Sequence, residues 1–182
     1  MNLPNRLSLT RAALMPVAVV LLYLRAPWGR WAALIVFALA ALTDFLDGHI
    51  ARSRGLVTPF GQFIDPLADK MLVLGLMTAL VGKDQLPFWV LLVILTRDLA
   101  VDALRLVAAQ QGTVIAAGKS GKVKTCVQIA LILYLIAFPT SWQVTGANPG
   151  KVLTALALVC TVYSGCEYLA RNRAVFSEKA GK

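Results

Sequence analysis

Six apolar runs alternate with short polar breaks: about Leu7–Leu24, Trp31–Ile50, Phe60–Val81, Leu86–Ala109, Val123–Phe138 and Val152–Leu169. Each is close to the roughly 20 residues that carry a helix across about 30 Å of hydrocarbon, the fifth being the shortest. The pattern predicts an all-α protein: an integral membrane bundle of six transmembrane helices, forming a single domain over residues 1–182. No internal repeat, low-complexity tract or linker interrupts it. Basic residues precede the first run, as in a secretory signal. Arg25-Ala26-Pro27-Trp28 is a poor cleavage site, however, and five more runs follow, so the first is expected to be retained. Trp28, Trp31, Trp89 and Trp142 fall near run ends, where an interfacial aromatic belt or ordinary helix-end packing would put them.

Composition sharpens the class. A chain of 182 residues with 58% hydrophobic and 15% charged content is too apolar for an ordinary soluble domain. The net charge of +9 does not point to nucleic acid, because the basic residues are scattered between apolar runs rather than gathered on one face. Their distribution sets orientation instead. Arg6, Arg11, Arg52, Arg54, Lys119, Lys122, Lys124, Arg171, Arg173, Lys179 and Lys182 fall on one side, against Arg25, Arg30, Lys83 and Lys151 on the other. The positive-inside rule then predicts that both termini are cytoplasmic. Cys126, Cys160 and Cys166 form no C-x-x-C and lie in apolar stretches, which argues against a disulfide framework or zinc site.

The chemistry gathers between Asp44 and Asp69. Asp44 and Asp47 are i,i+3 neighbours near the end of the second run; Asp65 and Asp69 are i,i+4 neighbours near the start of the third. A short turn separates the runs, so the two pairs are expected to face each other. Placing a carboxylate at mid-membrane costs about 2.5–3.5 kcal/mol on insertion scales, and four require something to hold their charge. Oxygen donors without Cys or an obligatory His suit magnesium or manganese better than zinc. Gly48 would let either a ligand or a neighbouring helix approach closely. Arg52 offers a planar fork for phosphate or a topology-setting charge. Pro59 is expected to start the third helix, and Thr58 is a helix cap or a nucleotide contact. His49 has no assigned role.

The run Asp44-x-x-Asp47-Gly48-x-x-Ala51-Arg52, eight residues, then Gly61-x-x-x-Asp65-x-x-x-Asp69 resembles the signature of the CDP-alcohol phosphatidyltransferase family at every fixed position. The resemblance implies that Asp44, Asp47, Asp65 and Asp69 hold one or two Mg2+ or Mn2+ ions, and that Asp69 is also the base for the acceptor hydroxyl. It implies CDP-diacylglycerol as donor, with Gly48, Arg52 and Gly61 beside it and Thr58, if it is not a cap, as a further contact. Asn5-Arg6-Leu7-Ser8-x-x-Arg11 is similar to a segment preceding the first span in members that make phosphatidylglycerol phosphate, with Ser8 where Thr is usual. Asn5 and Ser8 are therefore expected near the nucleotide; without the resemblance, Asn5 would read as a helix cap.

Further on, Arg97 and Arg105 stand two turns apart in the fourth run and should share a helix face. Buried arginines need partners, which Asp98 and Asp102 could supply in a structural network; alternatively the arginines bind an anionic acceptor. Lys119, Lys122 and Lys124 follow at the mouth of the fifth run, in a segment that lacks P-loop spacing. This region resembles the acceptor region of bacterial family members that use glycerol 3-phosphate, with Asp98 where Glu is common. The resemblance implies that Arg97, Arg105, Lys119, Lys122 and Lys124 bind the acceptor phosphate. It also implies a bacterial plasma (inner) membrane location, an active site facing the cytoplasm, a surround of membrane lipid and a homodimer. The sixth run reads as apolar and generic. Alternatives are another anionic acceptor such as inositol phosphate, a divalent-cation transporter, or a non-catalytic assembly protein. Arg52 beside the acids would repel a passing cation, and a non-catalytic descendant need not keep all four aspartates.

Overall fold

The computed structural model describes residues 3–54, 59–110, 115, 118–140, 142, 146 and 148–173, without the side chains of 3–8, 44–54, 59–66, 69 and 119. The described residues form six helices, one at each apolar run: α1 Leu3–Tyr23, α2 Pro27–Arg54, α3 Pro59–Gly82, α4 Phe88–Gln110, α5 Lys119–Ala137 and α6 Pro149–Arg171. The chain is all-α, as its periodicity predicts. Pro59 does open α3, since its fixed φ and missing amide suit a first helical position. Asn148 caps α6 by accepting from the Lys151 amide at 2.9 Å, with Pro149 directly after it. Asn5 is not a cap: α1 begins at Leu3, so Asn5 lies within its first turn.

Among the described residues, Ser120–Ala137 and Pro149–Arg171 are long and apolar enough to cross a membrane, while Leu9–Tyr23, Pro27–Thr43 and Lys70–Gly82 are shorter apolar stretches. That is narrower than six full spans. In α4 the physical reason is plain: Arg97, Asp98, Asp102 and Arg105 interrupt the apolar sequence.

Contacts divide the chain into two units, Met1–Leu86 with Ile132–Thr145 and Pro87–Leu131 with Gly146–Lys182. In the first, α1 packs on both α2 and α3. Ala18 and Leu22 of α1, Ala33, Phe37 and Ala40 of α2, and Leu72, Leu76, Met77 and Leu80 of α3 are buried. Alanines on two of these helices let their backbones come close. The α1–α2 turn is equally tight, because a Cβ on Gly29 would lie 2.7 Å from the Leu21 carbonyl oxygen. At the far end of α3, the Tyr23 hydroxyl donates to the Ala79 carbonyl at 3.2 Å.

In the second unit α4 packs on α6. The buried face of α4 is Val90, Ile94, Asp98, Val101, Leu104 and Ala108, a helical repeat with one carboxylate in its middle. The buried face of α6 is Gly150, Thr154, Ala157, Thr161, Ser164, Gly165 and Tyr168, each of them small or hydroxylated. Outward faces carry large apolar side chains, including Ile35, Leu39 and Leu42 on α2 and Val152, Leu156 and Val159 on α6.

Candidate functional site

Asp44 and Asp47 fall in α2, and Asp65 and Asp69 in α3, so each pair has the helical spacing that its sequence separation requires. Their side chains lie outside the described residues. So do those of Asn5, Ser8, Arg52 and Lys119, together with Gly48, Thr58 and Gly61. Among the described residues no group of three or more His, Cys, Asp or Glu could hold a metal; none of these four aspartates belongs to that set.

The second unit contains the polar cluster that the structure describes side chain by side chain. Asp98 is buried at 6% exposure, and one of its oxygens, Oδ1, accepts from two cations. Lys124 Nζ reaches it at 2.6 Å from α5, and Arg97 Nη1 at 3.1 Å from the neighbouring position on α4. Lys124 itself is 5% exposed. Burying an ion pair gains little net stability, but removing the shared carboxylate takes a charged partner from both cations at once, so the three side chains are coupled. Asp98 thus meets one cation of its own helix and one brought to it by α5.

Arg97 and Arg105 both meet α6, in keeping with their two-turn separation. The stem of Arg97 lies against Gly165, where an added Cβ would come 2.9 Å from its Cγ. Its Nε is buried with no hydrogen-bond partner among the described residues. Arg105 is held differently. Its Nε donates to the Tyr168 hydroxyl at 3.0 Å, and its guanidinium carbon lies 5.4 Å from the centre of the Tyr168 ring. Arg105 is thus held by a phenol rather than by a carboxylate. Lys122, by contrast, is exposed near the start of α5.

Deeper between the helices, Gln128 Nε2 donates to Thr161 Oγ1 at 3.4 Å. The Thr154 and Thr161 hydroxyls return to carbonyls of their own helix at 2.8 and 2.6 Å. Such back-bonding satisfies a buried hydroxyl without a partner helix and leaves a smooth surface. Arg97 and Lys124 share Asp98, and Arg105, two turns further along α4, meets Tyr168; guanidinium groups placed in this way suit an oxyanion such as phosphate.

The residues missed in sequence are those of α6. The run Val152–Leu169 reads as generic because most of its residues are apolar. Yet Thr154, Ala157, Thr161, Ser164, Gly165 and Tyr168 recur at three- and four-residue steps, which was the available signal.

A helix pair bearing spaced aspartates, followed by a helix pair bearing cations, is the order of parts that the resemblance leads one to expect. The chain belongs to the CDP-alcohol phosphatidyltransferase family: the family's profile matches residues 1–163. It is an enzyme of that type, which decides against the transporter and non-catalytic alternatives. Its relatives include the CDP-diacylglycerol--glycerol-3-phosphate 3-phosphatidyltransferase of Bacillus subtilis, 38% identical over 94% of this chain and 95% of that protein. The protein of the same name from Escherichia coli K12 is 36% identical over 95% of this chain and 96% of its own length. The probable phosphatidylglycerophosphate synthase of Mycobacterium tuberculosis H37Rv is 40% identical over 93% and 81% respectively.

Proposed function

We propose that this protein transfers the phosphatidyl group of CDP-diacylglycerol to glycerol 3-phosphate, releasing CMP and forming phosphatidylglycerol phosphate. The donor follows from the family, and full-length similarity to relatives named for this reaction supports the acceptor. The geometric observation that carries the acceptor is Arg105, whose charge is tethered by a neutral tyrosine and so stays available to an anion. A neutral alcohol would have no use for it. Arg97, with its buried donor, and Lys119, Lys122 and Lys124 complete the proposed phosphate-binding set.

Asp44, Asp47, Asp65 and Asp69 would hold one or two Mg2+ or Mn2+ ions. An all-carboxylate donor set at helical spacing on successive helices fits a hard divalent cation. Such an ion supplies charge neutralisation at a pyrophosphate. The chain's own residues do the rest. Asn5, Ser8, Gly48, Arg52, Thr58 and Gly61 bind the liponucleotide. Asp69 accepts the proton of the acceptor hydroxyl as its oxygen bonds to the lipid-side phosphorus. The bond from that phosphorus to the bridging oxygen breaks, and the oxygen leaves with CMP.

Residues 1–182 act as one membrane domain in this account, spanning the bacterial plasma (inner) membrane six times with both termini and the active site at the cytoplasmic side. The outward Ile35, Leu39, Val152 and Val159 support a hydrocarbon surround, which suits such side chains better than water. The working unit is a homodimer. An assay with purified protein, labelled CDP-diacylglycerol and a panel of acceptors, run with magnesium, manganese or chelator, tests the proposal. Product is expected with glycerol 3-phosphate and a divalent ion only; equal use of glycerol or of inositol phosphate would refute the acceptor.

A further inference from the structure

We propose that Tyr168 of α6 is a positioning residue that aims Arg105 at the acceptor phosphate, a role that rests on the acceptor assignment above. Three observations converge on it. The tyrosine ring is fixed: it is 7% exposed and packed with Val101 and Leu104 of α4, with Ile115 against the same cluster. Its hydroxyl accepts a hydrogen bond from Arg105 Nε at 3.0 Å. A guanidinium has five N–H donors in a rigid plane, so engaging Nε leaves the paired Nη groups as the fork for a bidentate oxyanion.

The third observation concerns charge. Arg97 and Lys124 share the Asp98 carboxylate, whereas the contacts of Arg105 are to a neutral ring and a neutral hydroxyl. The acid next to Tyr168 in sequence, Glu167, pairs with Arg171 at 3.2 Å instead. A carboxylate at position 168 would orient Arg105 equally well but cancel its charge. Tyrosine orients it through the hydroxyl and retains the charge over the ring face. An arginine within an apolar helix is costly to keep charged, so holding it with a neutral partner makes physical sense where an anion is to arrive.

Kinetics of the purified full-length protein in detergent, with both substrates varied, test the assignment. Tyr168→Phe keeps the ring in its apolar cluster and removes only the hydroxyl. It is expected to raise KM for glycerol 3-phosphate about tenfold or more, with kcat and KM for CDP-diacylglycerol changed less than about twofold. Arg105→Lys, which lacks the fork, should raise the same KM. Adding Tyr168→Phe to Arg105→Lys should then change little, because the two side chains act as one unit. If Arg105→Lys raises the acceptor KM and Tyr168→Phe does not, the positioning role is wrong while the acceptor site stands. A parallel rise in both KM values for Tyr168→Phe would mark a merely structural tyrosine and also overturn it. An Arg105→Lys enzyme with unaltered acceptor KM would remove the acceptor assignment and this inference together.

Discussion

The two units bury opposite kinds of interior. Apart from Arg11 and Gln85, the buried residues described in the first are apolar: Ala18, Phe37, Leu76, Met77 and their neighbours. The second places Asp98, Lys124, Gln128 and Thr161 among its buried side chains. Two glycines make the contrast concrete. A Cβ on Gly75 of α3 would lie 2.7 Å from Met15 Cγ, and one on Gly165 of α6 would lie 2.9 Å from Arg97 Cγ. The steric demand is nearly the same, but the neighbours differ. Methionine has unbranched, adaptable torsions and can swing aside. Arg97 is tied to Asp98, which is tied to Lys124, so it cannot move alone. An apolar interior tolerates adjustment; a charged one transmits it.

The largest expected effect is on chemistry in the first unit. Asp69→Asn should lower kcat by about 10²–10⁴-fold, the usual contribution of a general base, while the protein still folds and extracts normally. Near-normal turnover would remove Asp69 as the base. Next comes the ion cluster of the second unit. Asp98→Ala leaves Arg97 and Lys124 without their shared carboxylate and should cost about 3–5 kcal/mol, read as a lowered unfolding midpoint in detergent. A midpoint unchanged from the parent would mean that the cluster is not structurally coupled.

Gly165→Ala should be smaller, about 1–3 kcal/mol of overpacking, accompanied by a several-fold higher KM for glycerol 3-phosphate because Arg97 is pushed from its place. Gly75→Ala sets the lower end. With Met15 free to change rotamer and Ala the better helix former, its effect on stability should stay within about 1 kcal/mol, with both KM values unaltered. Equal behaviour of the two glycine variants would erase the distinction between the units.

Much of this arrangement could be read from residue order. The six helices follow from six apolar runs, and the start of α3 from Pro59. The shared face of Arg97 and Arg105 follows from a separation of two helical turns. What escaped was α6, whose polar residues look incidental until α4 is laid against them. The bland expectation for Asn5 also failed, because α1 starts earlier than its apolar run and carries Asn5 inside the helix. Sequence could identify acids able to neutralise the arginines, but not which cation each would meet.

Helix positions, the spacing of the four aspartates and family membership are therefore properties of the chain alone. They depend on local periodicity and on residue types at fixed separations, which the backbone enforces within a turn or two. The tertiary structure decided which cations share a carboxylate and which meets a tyrosine. Lys124 reaches Asp98 across 26 positions, and Arg105 reaches Tyr168 across 63. Such pairings depend on which helix faces meet, and that is set by the packing of whole elements rather than by any stretch of sequence.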